Sequence, residues 1–486
     1  MTESVDVVDD EHVDGHPRRW QILVICCGGL FMIVSALTSL NVALPALSAD
    51  LGASTSDLQW IIDAYGIVFG GLLLTGGAIG DRIGRRRALV VGFAVIALGG
   101  LLGGMSDSVA QVVVARVVGG LGAALLMPAT LSTISDVFST KDRAQAIATW
   151  SGVAGAGGAF GPAIGGWLVD SASWTAVFWL NAAMAVVGVV AVLVVVPNLA
   201  PAHAGRLDPV GSVLSTGAIG LAVLAIIEAP SKGFAVIVVV PAVAAVALGI
   251  AFVRHQGRTS DPMLPLVVFD SRERRAGLWT LVAAAIGFAG VIFVGSLFLQ
   301  IGWGESALVT GLLLVPIGVA ELAVSSRCPR LSERFGSHRV VAAGLVAMSI
   351  GYIGMAIVPV GDRTSFVIAG IVAGVGNGLT IPVSVERVVS RADPELAGVV
   401  AGLNETAIEI GASLGIALLG GVQRIVFGWQ LPSGASSDDL TAAIDEVGEA
   451  VAVDAFTDGT RWAFGVAAVA VLVVLPVAAR RHGAED

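Results

Sequence analysis

The chain has 486 residues, of which 56% are hydrophobic and 13% charged, with a formal net charge of −10. Soluble chains carry about 25% charged residues, so a water-soluble protein with ordinary buried helices is excluded in favour of a chain threaded through lipid. No nucleic-acid partner is expected.

Fourteen apolar stretches, each long enough to cross a hydrocarbon core of roughly 30 Å, follow in chain order. They lie at 21–46, 58–79, 88–106, 110–134, 144–168, 174–197, 209–229, 233–253, 275–300, 305–327, 338–358, 364–389, 396–425 and 461–479. Helices satisfy their own backbone groups in lipid, and the short alternating segments of a β-barrel are absent. Glycine, at 63 residues, suits close packing of helices in a membrane. The expected fold class is therefore an all-α polytopic membrane protein. Cys26, Cys27 and Cys328 have no metal-ligand or disulfide spacing, and no cofactor is expected.

Basic residues orient the spans. With the N-terminus inside, 22 of the 27 Lys and Arg fall at cytoplasmic positions, which is the positive-inside pattern. Both termini are then cytoplasmic. Residues 1–17 read as a disordered acidic tail, 483–486 as a short C-terminal one. Residues 430–460 hold seven acids and no Lys or Arg and read as the largest outer loop, a solvated cap.

The two ends of the chain echo one another. DRIGRRRAL at 81–89 matches ERFGSHRVV at 333–341, GLGAALLMP at 120–128 matches GVGNGLTIP at 374–382, and Gly161 and Gly165 match Gly411 and Gly415. The shared order and near-constant offset predict two parallel six-helix bundles, 18–200 and 270–482, with a linker and two inserted helices at 201–269. Parallel repeats of this kind support rocking about a central cavity.

Charges inside the spans are the functional candidates, since an ionisable residue at membrane depth is costly and usually lines a cavity. Asp63 interrupts the second span near its outer end, and Arg116 enters the fourth span from the same side. Arg116 is placed to tune or pair with a neighbouring acid. Glu405 and Glu409 share one helix face at i and i+4, where two like acids favour one held proton. Glu321 lies mid-span. Glu386 is expected to pair with Arg387 or Arg391, Glu228 to be wetted and His338 to be at the surface. Trp60 and Tyr65 fit the interfacial aromatic pattern. Each acid also has a plain reading, as a wetted helix end or a member of a buried polar network. The Gly-rich run 152–166 lacks the Lys-Ser/Thr ending of a phosphate loop, and Pro162 removes a backbone donor there. A kinked, tightly packed fifth span is expected.

The motifs GAIGDRIGRRR at 77–87, RVVGGLGAA at 116–124, GVAGAGGAFGPAIGG at 152–166 and NVALP at 41–45 resemble those of the major facilitator superfamily, in particular its fourteen-span drug:proton antiporter branch. The resemblance implies the major facilitator fold and proton-coupled export of small lipophilic or cationic compounds across the cytoplasmic membrane of a prokaryote. Its partners would be a small-molecule substrate, protons and membrane lipid, with the chain acting as a monomer and no enzyme. The alternative is a dedicated exporter of one metabolite, peptide or antibiotic. The resemblance assigns gating to Gly77, Asp81, Arg82, Gly84, Arg85 and Arg86, and to Gly161, Pro162, Gly165 and Gly166. It links Arg116 to proton relay and supports an acid at the level of Glu405 and Glu409. The sequence departs from the branch at Ala36, where an acid is frequent, at Gly119, where Gln is usual, and at Trp174-Thr175-Ala176, in place of Trp-Arg-Trp.

Overall fold

The computed structural model describes residues 16–197, 208–232, 235–260, 262–389, 397–432 and 440–478. The expected tails lie outside these residues, save His16 and Pro17, as does most of the linker after 197. Arg391 lies outside them too.

Among the described residues there is no strand, and fourteen helices have 19 or more residues. In the N-terminal half these are α1 (Arg19–Leu51), α2 (Thr55–Ile83), α3 (Arg85–Gly104), α4 (Val109–Val137), α5 (Thr140–Ser171) and α6 (Thr175–Val195). The insert is α7 (Pro209–Lys232) and α8 (Val236–Gln256). The C-terminal half has α9 (Arg272–Leu297), α10 (Ala307–Ser325), the short α11 (Cys328–Phe335), α12 (Ser337–Ile357), α13 (Arg363–Val389), α14 (Ala397–Gln430), the short α15 (Leu440–Val447), α16 (Glu449–Val473) and the single turn α17 (Leu475–Ala478). Thirteen of the long helices are apolar enough to span a membrane by length and composition. The exception is α5, where glycine replaces the bulky side chains that make the other spans hydrophobic.

The repeat seen in the sequence is a repeat of packing. Gly161 and Gly165 of α5 lie against Ser35 and Ser39 of α1, while Gly411 and Gly415 of α14 lie against Val282 and Ile286 of α9. Gly120 of α4 abuts Tyr65 and Val68 of α2, and Gly374 of α13 abuts Ile317 of α10. Pro128 and Pro382 fall inside the corresponding helices α4 and α13. The two basic loops also fold alike. Gly84 has φ 90°, ψ 143° and Gly336 φ 85°, ψ 137°, a region open essentially to glycine alone.

The last span differs from expectation. Residues 449–460, read as part of an outer loop, are the first three turns of α16. Ala452, Ala455, Phe456, Thr457, Gly459 and Thr460 are buried, whereas Glu449 and Asp454 are exposed. Exposed acids alternate with buried small and apolar residues along this helix end, which a count of charges cannot distinguish from a loop.

Two long seams join the halves. Along one, α5 meets α10: Gly166 lies against Ala307, Pro162 against Gly311 and Ala159 against Gly318. Along the other, α2 meets α14, and α7 covers that seam through an apolar cluster of Ile67, Val223, Ile227 and Ala417.

Hydrogen bonds fasten the halves at the end opposite the basic loops. Ser296 donates to the Asn41 carbonyl (2.9 Å) and Gln300 to that of Val42 (3.0 Å). Asp170 accepts from the Leu308 N–H at the start of α10 (3.0 Å). Gln59 donates to the carbonyls of Ile416 (3.0 Å) and Ala417 (3.2 Å).

Candidate functional site

The second helix begins earlier than its apolar run. Ser54 and Asp57 form a capping box, satisfying orphan N–H groups at the helix start, so Asp63 lies two turns inside α2. It is 0% exposed, and no group other than Ser413 of α14 offers its carboxyl oxygens a side-chain hydrogen bond. It is not the wetted helix end that its depth allowed. Asp63, Gly66, Ile67 and Gly70 form one stripe of α2 at helical spacing, and that stripe faces α14.

The facing surface of α14 carries Glu405, Thr406, Glu409 and Ser413. Ser413 lies beside Gly66 and interacts with Asp63. Thr406 donates to the Gly70 carbonyl (3.1 Å). Glycines 66 and 70 leave the space that Glu409 fills: a Cβ at Gly70 would lie 2.7 Å from the Glu409 Cβ. Glu405 is half-buried one turn away and interacts with Glu409 electrostatically. Three carboxyl groups from two halves therefore share one seam.

Arg116 enters from α4. It is 4% exposed, its Nε donates to the Ile61 carbonyl (2.9 Å), and its guanidinium carbon stands 4.3 Å from the centre of the Tyr65 ring. One terminal nitrogen, Nη2, has no hydrogen-bond partner. Arg116 does not form the ion pair with Asp63 that their common depth suggested, because α2 turns Asp63 toward α14 and Tyr65 toward α4. Arg116 and Tyr65 interact electrostatically with Glu409 instead. Ala36, Tyr65, Arg116, Gly119 and Asn181 line one cavity in the N-terminal half, so the position where the resemblance expects an acid shares a cavity with the arginine.

Glu321 is separate from this group. It accepts from Asn377 of α13 (2.9 Å) and interacts with the buried Tyr352 of α12. Asn377 was not singled out from the sequence, although a lone amide among the glycines of 374–378 was a usable signal. Gln59, Tyr65 and Ser413 are further participants whose role depends on which helix each faces.

The basic loop ties the N-terminal half together. Arg85 bridges Asp81 and reaches Asp136 of α4 (3.2 Å), and Arg86 donates to the Leu193 carbonyl at the end of α6 (2.6 Å). Arg82 is exposed, and Gly77 lies in ordinary contact with Pro128. The four small residues of the fifth span divide by face. Gly161 and Gly165 meet α1 of their own half, whereas Pro162 and Gly166 meet α10 of the other. Glu386 is exposed, and Arg387 lies 4.0 Å from Glu273. Among the described residues no group of three or more His, Cys, Asp or Glu is placed to hold a metal ion.

Comparison with known proteins bears on this arrangement. The profile described as Major Facilitator Superfamily matches residues 26–416. The tetracenomycin C resistance and export protein of Streptomyces glaucescens is 31% identical, over 96% of this chain and 92% of that protein. The multidrug efflux pump LfrA of Mycolicibacterium smegmatis is 31% identical, over 95% of each chain. The methyl viologen resistance protein SmvA of Salmonella typhimurium is 31% identical, over 89% of each. Among solved structures, an inward-facing, occupied bacterial homolog of the human lysosomal transporter Spinster superposes with a TM-score of 0.66 at 15% identity, covering 95% of this chain and 96% of that one. That likeness concerns the fold.

Proposed function

Because the chain belongs to the major facilitator superfamily, we propose that it is a proton-coupled antiporter exporting small lipophilic or cationic compounds across the cytoplasmic membrane. The observation that carries this reading is the group of three carboxyl side chains, Asp63, Glu405 and Glu409, in a seam between the two halves. A seam between rocking halves is where a group can meet one side of the membrane and then the other.

In this reading the basic loops face the cytoplasm, both termini are cytoplasmic and the fastened end is the outer one. Substrate enters from the cytoplasm or inner leaflet while an acid of the seam is deprotonated. Its cationic or hydrogen-bonding group satisfies that carboxylate. Protonation from outside then removes the charge that held it, and the proton leaves inward on the return. One substrate moves out while protons move in, and no covalent step is required. Arg116 supplies a permanent positive field on the N-terminal side of the seam. Glu321, hydrogen-bonded to Asn377, is a second candidate for substrate or proton contact. The loop held by Asp81 and Arg85 keeps the inner ends of α2, α3 and α4 moving as one body, and α5 provides a smooth surface against α10. The chain acts as a monomer in lipid.

The relative that exports tetracenomycin C is as similar as the multidrug pump, which favours dedicated export of one compound as the second reading. Flux from proteoliposomes under an imposed pH gradient, with a panel of unrelated dyes and drugs, tests both. Gradient-driven export of several compounds supports the first reading, and of one compound the second. Transport unchanged without a pH or voltage gradient overturns proton coupling.

A further inference from the structure

Arg424 lies in α14 near the end opposite the basic loops, and it is 4% exposed. Its guanidinium donates to the Ser56 hydroxyl in the first turn of α2 and to the Ile227 carbonyl of α7. One side chain thus joins the C-terminal half, the N-terminal half and the insert. Two turns back along α14, Ile416 and Ala417 accept from Gln59 of α2. Ile227 also belongs to the apolar cluster over the α2–α14 seam. The other end of α7 is attached differently: Ser212 bonds Thr75, and Thr216 occupies the space over Gly71, both on α2. The insert is therefore anchored on the N-terminal half at the basic end and gripped by an arginine of the C-terminal half at the far end.

We propose that Arg424 is a positioning residue that holds the transporter closed at the far end. Opening that end draws α14 away from α2 and takes the guanidinium from Ser56, from Ile227 or from both. Hydrogen bonds to a charged group contribute more than neutral ones even against water, so the state that supplies these two acceptors is favoured. The inference rests on the alternating-access reading above, but it does not depend on which ion drives the cycle.

The test measures distances between paired spin labels in lipid nanodiscs. One pair spans the halves at the far end (Ala172→Cys with Val360→Cys), the other at the basic end (Gln145→Cys with Arg330→Cys). All four sites are exposed, and the native cysteines are buried. Arg424→Met is expected to raise the far-end-open population about fivefold, the ratio expected for loss of roughly one net hydrogen bond, and to lower the basic-end-open population in step. Arg424→Lys, which keeps the charge and can still donate, should fall between Met and the native residue. Distributions unchanged in Arg424→Met at both ends overturn the proposal, as does parallel broadening of both pairs, which marks loosening without a shift of state. Gradient-driven flux of the unaltered protein tests the antiport reading separately.

Discussion

Glu409 of α14 rests on Gly70 of α2, with only 2.7 Å between the Glu409 Cβ and the point where a Cβ at Gly70 would stand. An acid of one half is seated in a notch of the other, so movement between the halves changes its surroundings. Gly70→Ala fills the notch. Overpacking of this kind costs about 1–3 kcal/mol, and each 1.4 kcal/mol is a factor of about ten in an equilibrium. The variant is expected to reach the membrane and lose gradient-driven export by about tenfold or more. Export at the native rate would show that Glu409 does not use this seat during transport.

Ala36 offers a test of how Arg116 is used. Both line the same cavity, and Arg116 has one unpartnered nitrogen. An acid at position 36 would compete with Glu409 for that cation. A competing pair worth about 1.4 kcal/mol shifts the balance tenfold. Ala36→Glu should therefore slow export by roughly that factor, and Ala36→Gln, similar in size but uncharged, by much less. Equal effects of Glu and Gln would point to crowding alone.

The basic loop makes a backbone prediction. Gly84 sits at φ 90°, ψ 143°, where a side chain costs on the order of 1–3 kcal/mol. Gly84→Ala should weaken the joint between α2 and α3, seen as a lower melting temperature in detergent and reduced export. The same change at Gly77, which has an ordinary helical backbone and a contact of 3.6 Å to Pro128, should be tolerated. If the two substitutions behave alike, conformation is not what selects glycine at 84.

The insert has its own acid-dependent clasp. Asp208 caps α7 through the Gly211 N–H (2.8 Å) and also meets His255 (2.7 Å) and Gln256 (2.7 Å) at the end of α8. Burial alone would raise its carboxyl, but these hydrogen bonds and the attraction of His255 hold it below the ordinary value. An acid depressed in the folded state contributes stability that is complete above its unfolded pKa, about 3.9, and disappears as pH falls through the folded value. Asp208→Ala should cost about 1 kcal/mol at neutral pH, the usual worth of a cap. The gap between variant and native melting temperatures should close below about pH 4. Asp208→Asn, which retains the cap, should cost less than Ala. A gap independent of pH would contradict the ionised clasp.

Much of this architecture is legible in the amino-acid sequence. Spans announce themselves by length, and the loop motifs at 81–89 and 333–341 gave the two halves because the same glycine conformation is required twice. The span that begins at Glu449 was partly hidden, since its first turns carry three acids and only burial of Ala452, Ala455 and Phe456 separates it from a loop. At the candidate site the acids stood out against apolar runs, yet their partners did not. Asp63 and Arg116 share a depth, but depth does not give azimuth, and the two-residue step along α2, about 200° of rotation, sends Tyr65 to α4 and Asp63 to α14. Arg424 gives no such signal, because the groups it holds lie on α2 and on α7, a helix almost 200 residues earlier in the chain.

The central claim is that protons and substrate compete for the carboxyl groups of the α2–α14 seam. Substrate-induced proton release, followed with a pH-indicator dye in weakly buffered detergent solution, tests this most directly. The native protein should release protons when a transported compound is added, and Glu409→Gln should reduce the release, with Asp63→Asn and Glu405→Gln separating the shares of the other two. Release of the same size from the native protein and from the variant with all three acids neutralised would contradict the account.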